Sequence, residues 1–580
     1  MTSSRYLLVI TPEMAGIGYA VFPLGVHCCL RKHSWKPFGG RRERLASSCR
    51  VSDTFKCIQC YSLPTSQDNM VHLEASSFNP RIEELKEGVR KILFNNIDLR
   101  AAMVLVDTLQ HLGIGYHFEE ETNGVLDRCY GTRSDDDDLF ITALRFRLLR
   151  QGGYSVTPDV FHKFMDNKGN FKDPLAKNRM ALLSLHEASF LGAKDEEVLS
   201  QAMEFTKHHL QKSKLVSETS VARDIGLALE FPRQRRMERL EARSFIEKYR
   251  KECGRSSAML ELATLDFNMV QSLYQKEIAE LESWWRDLGV TKKLSFARDR
   301  PLECFLWTVG LFPEPCLSTC RIEVTKAVAI LVVIDDMYDS YGSLEDLNLF
   351  TNAIQRWEIG EIEKLPEYMK ICYVALYNTI NDVGYKVLKE YGWFIIPHLR
   401  KTWVDLCEAY FTEARWFSNG VVPNLEDYVS NGVTSVGTYV ALVLAFFLTG
   451  KQVNKETSSL VNSWPKLFTS AGRIFRLWDD LGTAMAEQQR GDVASSIECY
   501  MNENSTSQDE ARVHIRNLIN SSWQDLNKEC YAMTQLPRSI IKASLNLART
   551  SQDMYRHGDD DKFLSTDELI LSLLIKPIQI

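Results

Sequence analysis

The first residues in this chain that could do chemistry are three carboxylates at the end of an apolar run. Asp335, Asp336 and Asp339 follow Ala327 to Ile334, in which eight consecutive residues are apolar. A helix apolar on every side is a buried helix. At about 100° per residue, Asp335 and Asp339 lie within about 40° of one another, so two carboxylates leave one face where the buried helix ends. Such carboxylates repel, and lost hydration makes each charge more costly. A hard divalent cation relieves both costs, and magnesium typically takes one or two carboxylates, several waters and phosphate oxygens. The motif alone leaves a plainer alternative open, in which the acids end a solvated helix or cap the next one.

A second cluster weakens that alternative. Asp479, Thr483 and Glu487 are spaced four apart, within about 80° of one helix face, after the mostly apolar-patterned run Leu467 to Trp478. Two carboxylates and a hydroxyl make an oxygen-only set suited to hard cations. Asp480 points roughly 100° from Asp479 and reads as the holder of a structural hydrogen bond or ion pair. If the two acid-lined helices face each other, the cations between them attract a strongly anionic ligand, for which diphosphate is the natural choice. Arg476 lies three residues before Asp479, and Arg298-Asp299-Arg300 offers two guanidinium groups suited to bidentate phosphate contacts. An Arg-Asp-Arg triplet by itself is commonplace on protein surfaces.

The elements that must position these residues are helices. Asn79 and Pro80 fit N-cap and first-turn positions, followed by Ile82, Leu85, Val89, Ile92 and Leu93 on one face. Similar patterns recur at Leu139 to Arg150, closing at Gly152-Gly153, and at Glu196 to Leu210. No region shows sustained period-two alternation with hairpin turns, so the fold class is all-α, with helices packed as antiparallel pairs in a barrel or bundle. No repeat period of about 20 to 50 residues suggests a solenoid. A chain of 580 residues is too long for one core. A boundary near residue 260, after the highly charged stretch Arg233 to Lys251, separates a first helical domain at 68–260 from a second at 261–580.

Composition excludes several function classes. With 45% apolar and 25% charged residues the profile is that of an ordinary globular protein. The net charge of -7 is spread over interspersed residues, so there is no basic field for nucleic acid. Nine of the 14 cysteines are scattered between residues 129 and 530 without regular spacing, which suits a reducing compartment better than a disulfide framework. Cys57-Ile-Gln-Cys60 is a lone CxxC with no second pair and reads as coincidence. Residues 1–67 carry nine Lys or Arg against Glu13, Glu43 and Asp53, together with eight serines, the profile of an organelle transit peptide. Plastid import is the favoured destination, with a secretory or membrane signal as its rival and the cytosol as the alternative location. Pro12, Glu13 and Pro23 break Tyr6 to Leu30 into runs too short to span a membrane. No other stretch approaches a membrane span. The chain is expected to act as a monomer.

Taken together, Asp335-Asp336-x-x-Asp339, Asp479-Asp480-x-x-Thr483-x-x-x-Glu487 and Arg298-x-Arg300 resemble the class I plant terpene synthases. Arg476-Leu-Trp-Asp-Asp-Leu481, Arg490-Gly-Asp-Val, Gly113-Ile-Gly-Tyr-His-Phe-Glu-Glu-Glu and Ala143-Leu-Arg-Phe-Arg-Leu-Leu-Arg-Gln are similar to that family too, and the resemblance runs over about residues 70 to 580. It implies an N-terminal α-barrel of mainly structural role and a C-terminal α-bundle holding the active site. It also implies three magnesium ions, with manganese as a substitute, held by Asp335, Asp336 and Asp339 on one side and by Asp479, Thr483 and Glu487 on the other. Arg298, Arg300 and Arg476 would hold the diphosphate of a prenyl diphosphate substrate, against which Asp335, Asp339 and Asp479 would also lie. Trp307 would line the pocket with a π face able to stabilise a carbocation, with core packing as its other reading. Ser435-Val-Gly437 resembles a break in a pocket-lining helix, and Tyr555 to Lys562, with Gly558 and Asp559, resembles a loop that closes over substrate.

Departures from the family pattern bear on the product. Many cyclising monoterpene synthases carry an Arg-Arg pair eight residues before a Trp, and Arg41-Arg42 has no Trp at that spacing. With Arg236-Met-Glu-Arg-Leu-Glu-Ala-Arg243, this resembles the subgroup that makes acyclic alcohols such as linalool or nerolidol by water capture. Cyclic or olefinic mono- and sesquiterpenes are the alternative products, and a non-catalytic helical scaffold is the alternative of another class. Ser495 stands where many relatives carry a diphosphate-facing lysine. Asp135 to Asp138 formally fits the acid motif of class II cyclases, but an acidic run before Leu139 more simply caps a helix. Chain-elongating prenyltransferases have an aspartate-rich second motif, unlike Asp-Asp-x-x-Thr-x-x-x-Glu. Pocket volume, and with it the choice between geranyl and farnesyl diphosphate, is not readable from the residues.

Overall fold

The computed structural model describes residues 80–95, 98–132, 138–214, 220–251, 257–449, 453–490, 494–532, 535–559 and 563–579. The basic leader with its CxxC, Asn79, Asp135 to Asp137 and positions 560 to 562 of the loop reading lie outside them. Regular structure among the described residues is helical, apart from one isolated bridge between Met165 and Phe171. This all-α architecture follows from the amphipathic patterns. In Pro80–Asn95 the residues Ile82, Leu85, Val89 and Leu93 are buried, whereas Ile92, placed on the same face by its spacing, is 40% exposed. Asp138 caps Leu139–Gln151 by accepting the Ile141 N–H at 2.9 Å, as the capping reading of the acidic run predicts, and that helix ends at Gly152.

Two apolar cores share the long helix Ser257–Leu288 as a divider. One gathers the helices Pro80–Asn95, Leu99–His111, Glu119–Gly131, Leu139–Gln151 and Glu238–Lys251 around Leu262, Phe267, Val270 and Tyr274. The other is built on the all-round apolar helix Ser318–Ser340, where Val324, Ala327, Ile330, Val333 and Ile334 are buried. The segment Leu569–Ile578 does not join the second core but packs into the first. Its carbonyls are held from afar: Gln271 donates to Leu573 O at 3.0 Å, and Asn268 exchanges two hydrogen bonds with Ile578 at 2.8 Å each.

The charged stretch Arg233 to Lys251 is not an exposed linker. Arg235, Arg236 and Arg239 are buried, and Arg233, Arg235 and Arg239 reach partners on remote helices. Arg233 and Arg147 both reach Asp107, at 2.7 and 2.8 Å, and Arg236 pairs with Glu241 at 2.7 Å. On the other side Asp553 accepts the Met237 N–H at 2.7 Å, and Arg549 pairs with Glu238 at 3.0 Å. The described residues accordingly form one compact unit.

The eight described cysteines are free thiols. Leu425–Leu448 is long and apolar enough to cross a membrane by length and composition, but 83% of its apolar window is buried against the rest of the chain. Close helix contact elsewhere depends on glycine. Lys466–Arg490 packs against Arg538–Asp559 with Gly482 facing Gly558, and a Cβ on Gly482 would stand 2.6 Å from Tyr555 O.

Arg321 joins the divider to the helix that carries the first aspartates. It is fully buried, pairs with Glu277 through two bonds of 2.6 and 2.8 Å, and donates to the carbonyls of Phe312 and Glu314. Removing one partner of a buried pair leaves the other charged and unpaired. Arg321→Met is expected to cost about 3–5 kcal/mol in denaturant unfolding, and adding Glu277→Leu to recover most of that loss.

Candidate active site

The helix Ser318–Ser340 brings its acids to the rim of the second core in different settings. Asp336 is fully buried, Asp335 half-buried and Asp339 exposed. A strap formed by residues 294–300 lies across them. Arg298 donates from Nη2 to Asp335 Oδ2 at 2.7 Å, its Nε stands 2.6 Å from Asp336 Oδ1, and its main-chain N–H donates to Asp336 Oδ2 at 2.8 Å. Burial works against the guanidinium charge, yet Asp335, Asp336 and Asp339 hold Arg298 above the ordinary arginine range. Asp336 thus anchors the strap, a narrower setting than that of Asp335. Arg300 is exposed at the N-cap of Pro301–Leu311, and the structure does not bring it to the acids.

The second cluster lies on Lys466–Arg490. Arg476 donates to Asp479 Oδ2 at 2.9 Å and to Ser435 Oγ at 3.0 Å. Burial pushes the Asp479 carboxyl up to about 6; Arg476 opposes this, while the charges of Asp480 and of Asp335 add to it. The Asp335 contribution comes from the other helix, so the two acids lie within one electrostatic field. Asp480 is turned away and buried, accepting the Tyr428 hydroxyl at 2.9 Å and the Ser496 N–H at 3.0 Å, as its offset around the helix predicts. The Thr483 hydroxyl donates to Asp479 O at 2.7 Å, which leaves its lone pairs for a cation. Glu487 sits one turn further along the same helix, and its side chain lies outside the described residues.

Aromatic rings and a broken helix stand beside the acids. Trp307 packs on Phe475 at 4.6 Å and on Tyr555 at 5.8 Å between ring centroids. The Tyr555 hydroxyl bonds to Asp479, tying the apolar wall to the charged rim. Leu425–Ser435 ends and Thr438–Leu448 begins at Gly437, whose φ is 83°, so the break read from Ser435-Val-Gly437 is present. Ser495, in place of a lysine, caps Ser496–Asn504 by accepting the Glu498 N–H at 3.3 Å.

Glu413, Tyr410 and Tyr428 carry no signal in the sequence, since nothing in their spacing links them to either cluster. Tyr410 is buried within the field of Asp335 and Asp339, which, after burial, raises its hydroxyl pKa well above the ordinary tyrosine value.

The donor set is oxygen throughout. Among the described residues no three His, Cys, Asp or Glu side chains converge on one point, and Arg298 and Arg476 lie among the carboxylates. Such a set fits magnesium, which needs only one or two protein carboxylates per ion and fills its shell with water and phosphate oxygens. It does not fit a metal that demands nitrogen or sulfur ligands.

Comparison with known proteins points to one family. Residues 286–525 match the family model described as "Terpene synthase family, metal binding domain". Residues 56–229 match "Terpene synthase, N-terminal domain", a match that begins upstream of residue 68. The chain is 53% identical over 550 residues to a probable terpene synthase 11 of Ricinus communis, covering 94% of each chain. Two relatives from Ocimum basilicum are a chloroplastic geraniol synthase, 48% identical over 87% of this chain and 88% of that one, and a chloroplastic R-linalool synthase, 45% identical over 87% and 88%. The structure of isoprene synthase from grey poplar (Populus x canescens), in complex with three Mg2+ ions and dimethylallyl-S-thiolodiphosphate, superposes with a TM-score of 0.81 at 39% identity, covering 86% of this chain and 97% of that one.

The helix break offers a direct check on this geometry. A Cβ on Gly437 would stand 2.7 Å from Leu331 Cδ1 on the first acid-bearing helix, in a backbone conformation that side chains disfavour. Gly437→Ala is expected to lower stability by about 1–3 kcal/mol, read as the midpoint shift in urea.

Proposed function

The chain belongs to the terpene synthase family, and from that premise we propose that it is a magnesium-dependent monoterpene synthase that ionises geranyl diphosphate and yields an acyclic alcohol. The observation that carries this reading is the facing pair of clusters, in which Asp335 and Asp479 share one field and Arg298 and Arg476 lie beside them. Asp335, Asp336 and Asp339 would hold magnesium on one side and Asp479, Thr483 and Glu487 on the other. The grey poplar isoprene synthase with three Mg2+ ions supports that number here, and manganese would serve as a substitute. When bound, the metal supplies positive charge that neutralises the departing diphosphate.

The protein's own groups do the rest. Arg298 and Arg476 exchange their carboxylate partners for diphosphate oxygens, which their forked geometry matches, and Arg300 adds a second guanidinium from the same strap. Trp307, Phe475 and Tyr555 present π faces to the allylic cation left when the C1–O bond breaks. The carbonyls freed at the Ser435–Gly437 break point a second set of dipoles into the same space. Water added at the tertiary carbon, followed by proton loss, gives a linalool-type alcohol. The relatives named geraniol synthase and R-linalool synthase support an acyclic alcohol.

The two domains are assigned to 68–260 and 261–580, with the catalytic groups in the second. Residues 1–67 would direct the protein to plastids, in line with the relatives named chloroplastic, and this favours geranyl diphosphate. In the cytosol farnesyl diphosphate and nerolidol would be the corresponding pair.

Purified protein given each diphosphate with magnesium is expected to release an acyclic tertiary alcohol, with geranyl diphosphate the faster substrate, read by gas chromatography of the volatiles. A cyclic major product would overturn the acyclic reading, and turnover that survives chelation would overturn the metal assignment. Asp335→Ala is expected to lower kcat/KM by at least about a hundredfold. Because burial and neighbouring acids hold Asp479 at about 6, a proton competes there with the cation. Magnesium affinity measured calorimetrically should therefore fall as pH drops through that value, and Asp479→Asn should flatten the dependence.

A further inference from the structure

Arg476 is held by more than its neighbour on the helix. Its Nη1 donates to Asp479, its Nη2 donates to Ser435 Oγ at 3.0 Å, and its side chain lies against Gly432, where a Cβ would stand 2.8 Å from Arg476 Cγ. Ser435 and Gly432 belong to the helix that breaks at Gly437.

A serine hydroxyl has one proton and two lone pairs, so it can accept from Arg476 whichever way it turns, but its orientation is fixed only if the proton is committed elsewhere. That proton goes to Glu413. The Ser435 hydroxyl donates to Glu413 Oε1 at 2.6 Å, and Asn431 donates to the same oxygen at 2.9 Å. Asn431 also donates to Ala409 O at 3.1 Å, one turn before Glu413 on Ile396–Asn419. The line from guanidinium to hydroxyl to carboxylate thus crosses three helices, and its far end is pinned by an amide.

We propose that Glu413 is a positioning residue for diphosphate binding, which orients Ser435 so that the hydroxyl holds the Arg476 guanidinium toward the acid-lined space. The inference rests on Arg476 contacting diphosphate, as proposed above. Without a carboxylate at 413, the Ser435 proton is free to turn to Gly432 O, which lies 3.5 Å away, and one of the fixed contacts of Arg476 loses its direction. A glutamine keeps the acceptor oxygen, so the hydrogen-bond line survives loss of the charge.

The test is calorimetric binding of inorganic diphosphate, with magnesium, to the purified full chain. Glu413→Ala is expected to weaken binding about tenfold, the loss of one charge-assisted hydrogen bond, with Glu413→Gln restoring affinity to within about threefold of the parent. Combined with Arg476→Ala, Glu413→Ala should add no further loss, because it acts through that residue. Parent affinity in Glu413→Ala beside weakened Arg476→Ala would overturn the positioning role alone, as would fully additive losses. Parent affinity in Arg476→Ala would overturn the diphosphate contact itself, and the inference with it. If Glu413→Ala does not fold, Ser435→Ala cuts the same line and its affinity is read in the same way.

Discussion

Repulsion between carboxylates on two facing helices is the constraint on which the rest of this structure depends. Burial raises the cost of ionising Asp479, and the charge of Asp335 adds to it. The chain meets that cost with arginines: Arg298 against Asp335 and Asp336, and Arg476 against Asp479. Arg476 comes from one turn before Asp479 on the same helix and Arg298 from the strap 37 residues before Asp335, and both serve as exchangeable partners. On the proposed reading a diphosphate and its cations replace them without leaving any charge unpaired, since each acid gains a cation as its arginine turns to phosphate.

Rigidity around the acids is supplied from far away in the sequence. Arg321 is locked to Glu277 and to two carbonyls, which fixes the first acid-bearing helix against the divider. Asp480 is spent on Tyr428 and Ser496, which fixes the second helix against the one that breaks at Gly437. The groups that face the central space are thereby held by neighbours that do not face it, the condition for a polar site with little reorganisation.

Local patterns made much of this legible. The apolar run before Asp335 placed a buried helix, the four-residue spacing of Asp479, Thr483 and Glu487 placed them along one stripe, and the offset of Asp480 turned it inward. The capping role of Asp138 was equally local. Contacts between remote segments were not legible. The burial of the stretch Arg233 to Lys251 carried no local sign, because its partners Asp107, Asp553 and Arg549 are far off in sequence. Glu413 offered no signal for the same reason, since its meaning comes from Asn431 and Ser435 on another helix. Arg300 is the converse case: a spacing of two residues in a strap does not say that Arg298 turns to the acids while Arg300 stays exposed.

The segment Leu569–Ile578 packs into the first core, about three hundred positions after the residues that receive it, as in the bond from Gln271 to Leu573. During synthesis that core lacks one of its walls until the second has emerged, so the first half cannot finish folding on the ribosome by itself. The same fact limits recombination between relatives. A chimera joined near residue 260 would seat a foreign tail in the host's N-terminal core, and a compatible exchange must carry the tail along with the half it completes.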